Sequence, residues 1–469
     1  MTAQSEAVKT ETTTPIDKLD FKKILPVFVI VLVDLLGLTI IIPLMPLYAT
    51  SFGANAFTIG LLGAAYPIMQ FIGAPLLGRL SDRYGRKPIL IVSQIGTLIG
   101  FLVLGLANTL WLLFLSRIID GLSGANISTA QAVITDSTTE KTRTQGLGLL
   151  GAAFGLGFII GPIIAFVSLA LSGNDYHVPA FVAAGFSALS IALTWFWLTE
   201  TLPESRLGKI GKKPEVSFVA MFRAIGHPQV GLLLVLMFAQ QIAFGGFEQL
   251  LALFTLNRLG LNASGNAVIF VFVGVIVVAV QAGFIGPWSR RFGDRRLVYL
   301  GLATLAIGLA LTAITPRQPV PWYSRDALTS ELGAPRNLPD ETPPTQHIPI
   351  ELPDDSNTGW LGLVWILVAM IPASIGGGIL QPSINSLITK RVESGEVGGM
   401  LGMSAAFLSG ANALAPLIGG AIFQALGSTA PFLIGGLVLG VLLLASWQMI
   451  KPGREEMLPA GLARGGPAH

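Results

Sequence analysis

Twelve times along its 469 residues the chain runs for 18 or more mostly apolar side chains, beginning near residues 24, 58, 88, 110, 146, 178, 229, 264, 296, 360, 397 and 430. A helix of that length crosses the roughly 30 Å of hydrocarbon in a bilayer. Only 12% of residues are charged, about half the share in soluble domains. The expected fold class is therefore an all-α integral membrane protein with twelve transmembrane helices. The first run follows 23 polar residues and lacks a small-residue cleavage pattern, so it is expected to stay as a membrane anchor.

The turns between runs carry the charge. From Gly78 to Pro88 the chain reads GRLSDRYGRKP, in which Arg79, Asp82, Arg83, Arg86 and Lys87 set four cations against one anion. With the amino terminus inside, cytoplasmic tails and loops hold 24 of the 29 Lys and Arg; the outer loops hold Arg258, Arg317, Arg325 and Arg336, and Arg117 alone lies within a span. Lys and Arg near span ends set orientation, so both termini are expected in the cytoplasm of a multi-pass cell-membrane protein, a bacterial inner membrane being the fitting setting. The net charge of +3 then reflects topology and calls for no nucleic acid. With no cysteine, disulfides, iron–sulfur clusters and thiol chemistry are excluded.

The chain repeats itself. Gly78-Arg-Leu-Ser-Asp-Arg-Tyr-Gly85 returns as Gly286-Pro-Trp-Ser-Arg-Arg-Phe-Gly293, and Phe52-Gly53 as Leu259-Gly260. Ile134-Thr135-Asp136 returns as Ile388-Thr389-Lys390, and Pro162 as Pro416, at a longer offset. An insertion from Pro316 to Gly359, with nine prolines and seven acids, accounts for the jump. The expected domains are a cytoplasmic tail (1–23), a six-helix half (24–199), a cytoplasmic linker (200–228), a second half (229–450) with an extracytoplasmic loop (316–359), and a tail (451–469). Parallel repeats of this kind occur in transporters that rock around a central site. The inserted loop is acidic and Pro-rich, so polyproline-like or disordered structure is expected there.

These residues resemble the major facilitator superfamily, and within it the twelve-helix drug:proton antiporters, including tetracycline-efflux proteins. The likeness covers nearly the whole chain. Gly78, Leu80, Asp82, Arg83, Gly85, Arg86 and Lys87 fill the family's loop 2–3 signature, which implies a latch between cytoplasmic ends: Asp82 facing a helix of the other half, and Arg86 pairing with Asp136. Gly148, Gly157, Gly161 and Pro162 on the fifth span resemble the antiporter motif. Glycines let backbones approach and proline bends a helix, so this stretch is expected at the interface between the halves. Arg117 and Gly121 match the family's fourth-span motif, whose arginine is implicated in proton transfer, although Asp120 stands where an uncharged residue is usual.

Read from the residues themselves, Arg117, Asp120, Gly121, Gly124, Ser128 and Gln131 recur every three or four positions, placing a polar or small stripe on one face. Arg117 and Asp120, three apart, can also neutralise one another. Asp34 sits in the middle of the first span, and Pro43 and Pro46 follow it; the pattern resembles the first-span motif of tetracycline exporters. A carboxylate at that depth is costly unless paired, solvated or protonated, which makes Asp34 the leading proton-coupling candidate. Its counterpart in the repeat is Gln241, on one face with Gly245 and Glu248. Gln381, Asn385 and Asn412 add neutral hydrogen-bonding groups, and a mainly apolar cavity with few polar groups suits an amphipathic solute. The third and ninth spans are read as lacking an acid, unlike tetracycline exporters, so tetracycline is not the expected substrate.

The function read from the chain is secondary active transport: proton-coupled export of a small amphipathic organic molecule by alternating access. Asp34, Arg117, Asp120 and Glu248 would couple protons; Gly121, Gly124, Ser128, Gln241, Gln381 and Asn385 would line the substrate cavity. The expected partners are the small-molecule substrate, protons and the lipid bilayer, with a monomer as the working unit. A symporter or facilitator for a sugar, metabolite or lipid is the alternative, and a membrane-embedded enzyme or receptor a more distant one. There is no GxxxxGK[ST] stretch and no clustering of the four histidines, so no enzyme activity, cofactor or metal is expected.

Overall fold

The computed structural model describes residues 21–124, 126–138, 143–202, 223–227, 230–333, 350–392 and 397–450. Among the described residues, twelve helices are long and apolar enough to cross a membrane: α1 (Phe21–Ile41), α2 (Ala56–Tyr84), α3 (Arg86–Gly105), α4 (Leu110–Ser123 continued by Asn126–Asp136), α5 (Arg143–Ser172), α6 (His177–Trp197), α7 (Gly231–Leu259), α8 (Ala263–Val278, a π-helical turn over Ala279–Phe284, then Ile285–Phe292), α9 (Asp294–Ala313), α10 (Leu361–Arg391), α11 (Val397–Leu426) and α12 (Ala430–Met449). Each begins within three residues of the start read from the sequence. Among the described residues there is no strand.

Packing repeats between the two sets of six. α1 packs on α5 and α6, α3 on α4 and α6, and α2 on α4; likewise α7 packs on α11 and α12, α9 on α10 and α12, and α8 on α10. The sets meet through α2 against α11 and α5 against α8, which are the same pair of positions exchanged. In lipid, helices gain nothing from burying apolar faces and associate through close packing. Small residues supply that closeness. A Cβ on Gly73 would strike the Leu122 backbone, one on Gly308 or Gly376 would strike the facing backbone of α10 or α9, and one on Gly60 would strike the Pro416 carbonyl across the seam.

One end of the bundle carries the short helix Met45–Thr50 and the long loop before α10; we call it the loop end and the opposite one the linker end. At the loop end, Asn55, Thr109 and Asn262 accept hydrogen bonds from the backbone N–H of Thr58, Leu112 and Gly265, capping α2, α4 and α8 where their first amides lack partners.

The inserted loop departs from the expectation of polyproline-like or disordered chain. It holds a helix, Arg325–Gly333, and a 3₁₀ turn, Asp355–Asn357. Val320, Leu328 and Leu332 are buried, Val320 N–H bonds to the Leu259 carbonyl, and the Tyr323 hydroxyl donates to the Pro353 carbonyl at 3.0 Å. These scattered apolar residues anchor it. Glu331 accepts from Asn174 (3.3 Å) and Tyr176 (3.4 Å) of the first half and from Asn262 (3.2 Å) of the second. Burial holds its carboxyl above the usual range. Ser264 also bonds Asn174, and Ala56 N–H donates to Gln424 Oε1, so the halves are tied at the loop end. The linker at 203–222, both tails, and loop residues 334–349 lie outside the described residues.

Candidate functional site

Two chain features build the polar centre of the first half. α1 brings Asp34 to mid-span, and α4 breaks at Gly124, whose φ of −69° and ψ of 37° end the first helical piece. The break frees backbone carbonyls, and neighbouring helices satisfy them: Gln70 Nε2 of α2 donates to the Gly124 carbonyl at 2.9 Å, and the Ser93 hydroxyl of α3 bonds the Ser123 carbonyl. Such interruption at membrane depth is tolerated only where protein or a cavity covers it. The second piece then starts at Asn126, whose Nδ2 donates to Asp34 Oδ2 at 2.8 Å and to Thr97 Oγ1 at 3.4 Å. Thr97 also bonds Asp120.

Asp34 Oδ1 and Asn126 Oδ1 are buried with no hydrogen-bond partner among the described residues. They line a cavity of about 20 Å³ with Tyr66, Thr97, Phe101, Asp120 and Gly124, room for about one water molecule. Arg117 Nη2 lies 3.2 Å from Asp120 Oδ2, an ion pair whose angles do not make a hydrogen bond. The guanidinium also sits 5.9 Å from the ring centres of both Tyr66 and Phe101, and cations are attracted to aromatic faces. Arg117 thereby offsets Asp120 and leaves Asp34 without a counter-charge of its own.

The stripe read along α4 divides. Arg117, Asp120, Gly121 and Gly124 are buried, while Ser128 and Gln131 are exposed. Gly121 packs against the Tyr66 carbonyl and Met69 of α2, so its smallness serves helix contact. In the second half Gln241 Nε2 donates to Asn412 Oδ1 at 2.7 Å. Glu248, half-buried on α7, makes no hydrogen bond or ion pair among the described residues. Asn385 Oδ1 is buried and unbonded; Gln381 lies one turn earlier on α10, half-buried.

At the linker end Arg86 Nε donates to Asp136 Oδ2 at 2.9 Å, and its Nη1 to Asp82 Oδ1 at 2.6 Å and Ser81 Oγ at 3.0 Å. Asp82 therefore pairs within its own half rather than facing a helix of the other half. Arg83 lies over the Tyr84 ring, and Gly78 has open space around it. Gly85, at φ 108°, makes a turn that suits glycine. In the second half Asp294 accepts from Lys390 Nζ and Ser386 Oγ at 2.5 Å each and bonds Ser289, after Gly293 at φ 78°. The same two positions are paired with the charges exchanged. Asp294 also opens α9, so the ninth span does carry an acid, at its linker end.

On α5 the expected inter-half role falls to other residues. A Cβ on Gly161 would run into Thr39 of α1, and one on Gly157 would rest 3.5 Å from Leu35. Both face α1 of their own half, and Pro162 continues the helix beside them. The seam with α8 is made by Gly155 against Val278 and by Phe158 against Gly274. Nothing is described of the side-chain surroundings at Gly148.

Sequence reading missed Asn126, Thr97, Tyr66 and Glu200. The first two are polar residues inside spans, a signal in themselves. Glu200 accepts from the backbone N–H of Arg86 (2.9 Å) and Lys87 (3.1 Å), capping the positive end of α3, while Lys87 Nζ donates to the Trp195 carbonyl at 2.8 Å.

Residues 27–326 match the model of the Major Facilitator Superfamily. The chain is similar to the class B tetracycline resistance protein of Escherichia coli, 28% identical over 404 residues, covering 84% of this chain and 87% of that protein. It is also similar to multidrug resistance protein 2 of Bacillus subtilis (strain 168), 30% identical over 287 residues, covering 60% of this chain and 71% of that protein. Among solved structures, the nucleoside transporter NupG superposes with a TM-score of 0.65 at 14% identity, covering 92% of this chain and 100% of NupG. The human organic anion transporter MFSD10 superposes with a TM-score of 0.61 at 20% identity, covering 92% and 99%. At these identities the structures speak for the fold.

Proposed function

The chain belongs to the major facilitator superfamily, and from that premise we propose that it exports a small amphipathic organic molecule in exchange for protons, as its likeness to tetracycline and multidrug resistance proteins supports. It is a multi-pass secondary transporter and not an enzyme. The observation that carries the coupling is Asp34: a carboxylate at mid-span, one oxygen bonded to Asn126 and the other facing a cavity with room for about one water. A proton there removes an unmatched charge from lipid depth, and losing it restores the charge. Arg117 and Asp120 would respond to that change through Thr97 and Asn126. Glu248 would face the substrate, with Gln241, Gln381 and Asn385 offering neutral hydrogen bonds.

The excess of Lys and Arg in the linker-end loops supports a cytoplasmic linker end, with both termini inside. On that orientation the structure is closed outside, where Glu331 and Gly60 join the halves. The Gly78–Lys87 turn, with Asp82, Arg83, Gly85, Arg86 and Asp136, then holds the inner ends of α2, α3 and α4 together as a unit that moves during gating. Gly157, Gly161 and Pro162 fix α5 to α1 so that the half moves as one piece. The working unit is a monomer in the bilayer, with the halves at 24–199 and 229–450.

Purified protein in liposomes with an imposed proton gradient and a panel of fluorescent amphipathic drugs tests this. Drug accumulation that collapses with a protonophore is the expected result. Accumulation indifferent to the gradient, or proton flux that no solute in the panel changes, would refute the exchange.

A further inference from the structure

We infer that the loop end holds a second binding site, for an anionic group of phosphate or carboxylate type. A cavity of about 360 Å³ opens there between the end of α7, the start of α12 and the inserted loop, lined by Arg258, Arg317, Glu351, Ser428 and Thr429. Ligand pockets begin at about this size.

Charge in the cavity does not balance. Arg317 pairs with Glu351 at 3.2 Å, but that carboxylate side chain is 76% exposed, and an ion pair so open to water is weak. Arg258 lies within range of both Arg317 and Glu351, so two guanidinium groups share that one carboxylate. Arg258 Nε is buried and has no hydrogen-bond partner among the described residues. The dipole at the end of α7 could explain an arginine here, yet it does not bond that Nε. Ser428 and Thr429 also line the cavity, just before α12, whose first turn has no side-chain cap, so the positive end of a helix adjoins the same space. Asn257 Nδ2 donates to the Glu351 carbonyl at 2.7 Å, tying the inserted loop to the end of α7 beside the cavity. An anion seated there would lie beside the guanidinium groups of Arg258 and Arg317 and offset the surplus positive charge. Guanidinium groups favour carboxylate and phosphate because two parallel N–H groups can meet two oxygens.

The anion has two sources. Arg258 lies in the last turn of a span, at the depth of lipid headgroups, so an acidic lipid can reach it; a soluble organic or inorganic anion can enter from the aqueous side. Thermal unfolding of the detergent-purified full chain is followed in sodium phosphate and in sodium chloride at matched ionic strength. Separately, retention of phosphatidylglycerol against phosphatidylcholine is followed by native mass spectrometry. Phosphate is expected to raise the unfolding temperature of the wild type, and Arg258→Gln or Arg317→Gln to weaken the response roughly tenfold, the usual loss for one charged hydrogen bond. A phosphate response without lipid retention assigns the site to a soluble anion, and selective retention of phosphatidylglycerol lost in the variants assigns it to a headgroup. If neither probe separates the wild type from the variants, the site does not exist. Should Arg258→Gln fail to reach the membrane, Arg317→Gln, on the loop, carries the comparison alone. Neither readout involves drug transport, so the result stands apart from the export reading.

Discussion

The two halves share a fold and differ at their centres. Where α1 has Asp34, α7 has Gln241, bonded to Asn412; where α4 has Arg117 and Asp120, the repeat places Ile371 and Ser374 on α10. One half encloses an ionic network; the other pairs neutral amides, with Glu248 two turns further along α7. On the proposed reading the duplicated bundle divides the labour: the proton would be taken up and released at Asp34 in the first half, while Gln241 and Glu248 of the second would meet the solute.

Making the halves alike should erase the coupling. Asp34→Asn gives α1 a neutral centre like that of α7, and uphill drug accumulation should vanish; a 100 mV potential supplies about 2.3 kcal/mol per proton, a bias of roughly fiftyfold that this variant forfeits. Counterflow of labelled drug should persist, and Gln241→Asn should keep its proton response. Uphill transport by a well-expressed Asp34→Asn protein would remove Asp34 from the mechanism.

Arg117→Gln leaves Asp120 buried beside no cation. Breaking a buried pair from one side typically costs about 3 to 5 kcal/mol, so its thermal unfolding in detergent should drop markedly, and adding Asp120→Asn should restore most of the loss. Equal instability of the single and double variants would mean that the pair is incidental.

At the linker end, Arg86→Asp with Asp136→Arg gives the first half the polarity already present in Asp294 and Lys390. Each single reversal should slow transport, and the double should recover part, with a coupling energy of about 0.5 to 3 kcal/mol. Additive rates would deny a direct pair.

The smallest contrast lies on α5. Gly161→Ala drives a methyl into Thr39 and should cost about 1 to 3 kcal/mol, whereas Gly157→Ala meets ordinary contact distances and should change stability by less than about 1 kcal/mol, helix propensity favouring alanine. Comparable unfolding temperatures for the two would show that α1 yields to both.

The spans, their number and the repeat were legible because each rests on composition along a single helix. Asp34 and the Arg86–Asp136 pair were legible too, as charge among apolar residues and as a turn motif. The partner of Asp34 was not. Asn126 reaches it only because α4 breaks at Gly124, and a glycine in a stripe of small residues gives no sign that the chain will unwind there. The α5 glycines were noticed but aimed at the wrong neighbour, since spacing fixes which residues share a face and not which helix that face meets. The inserted loop was read as polyproline-like or disordered from its prolines and acids; Val320, Leu328 and Leu332 are too scattered to register as a pattern, yet they anchor it beside Leu259.

The exchanged polarity of the two linker-end pairs bears on how the chain assembles. Two six-helix repeats made in succession present nearly interchangeable surfaces, and α3 could in principle settle on α10, or α9 on α4. Either error would set Arg86 against Lys390 or Asp294 against Asp136, like charges in contact beside side chains of which only Lys390 is well exposed. Correct partners attract and exchanged partners repel. Reversing one pair would therefore favour each repeat packing on its own helices, a distinction that two identical pairs could not have provided.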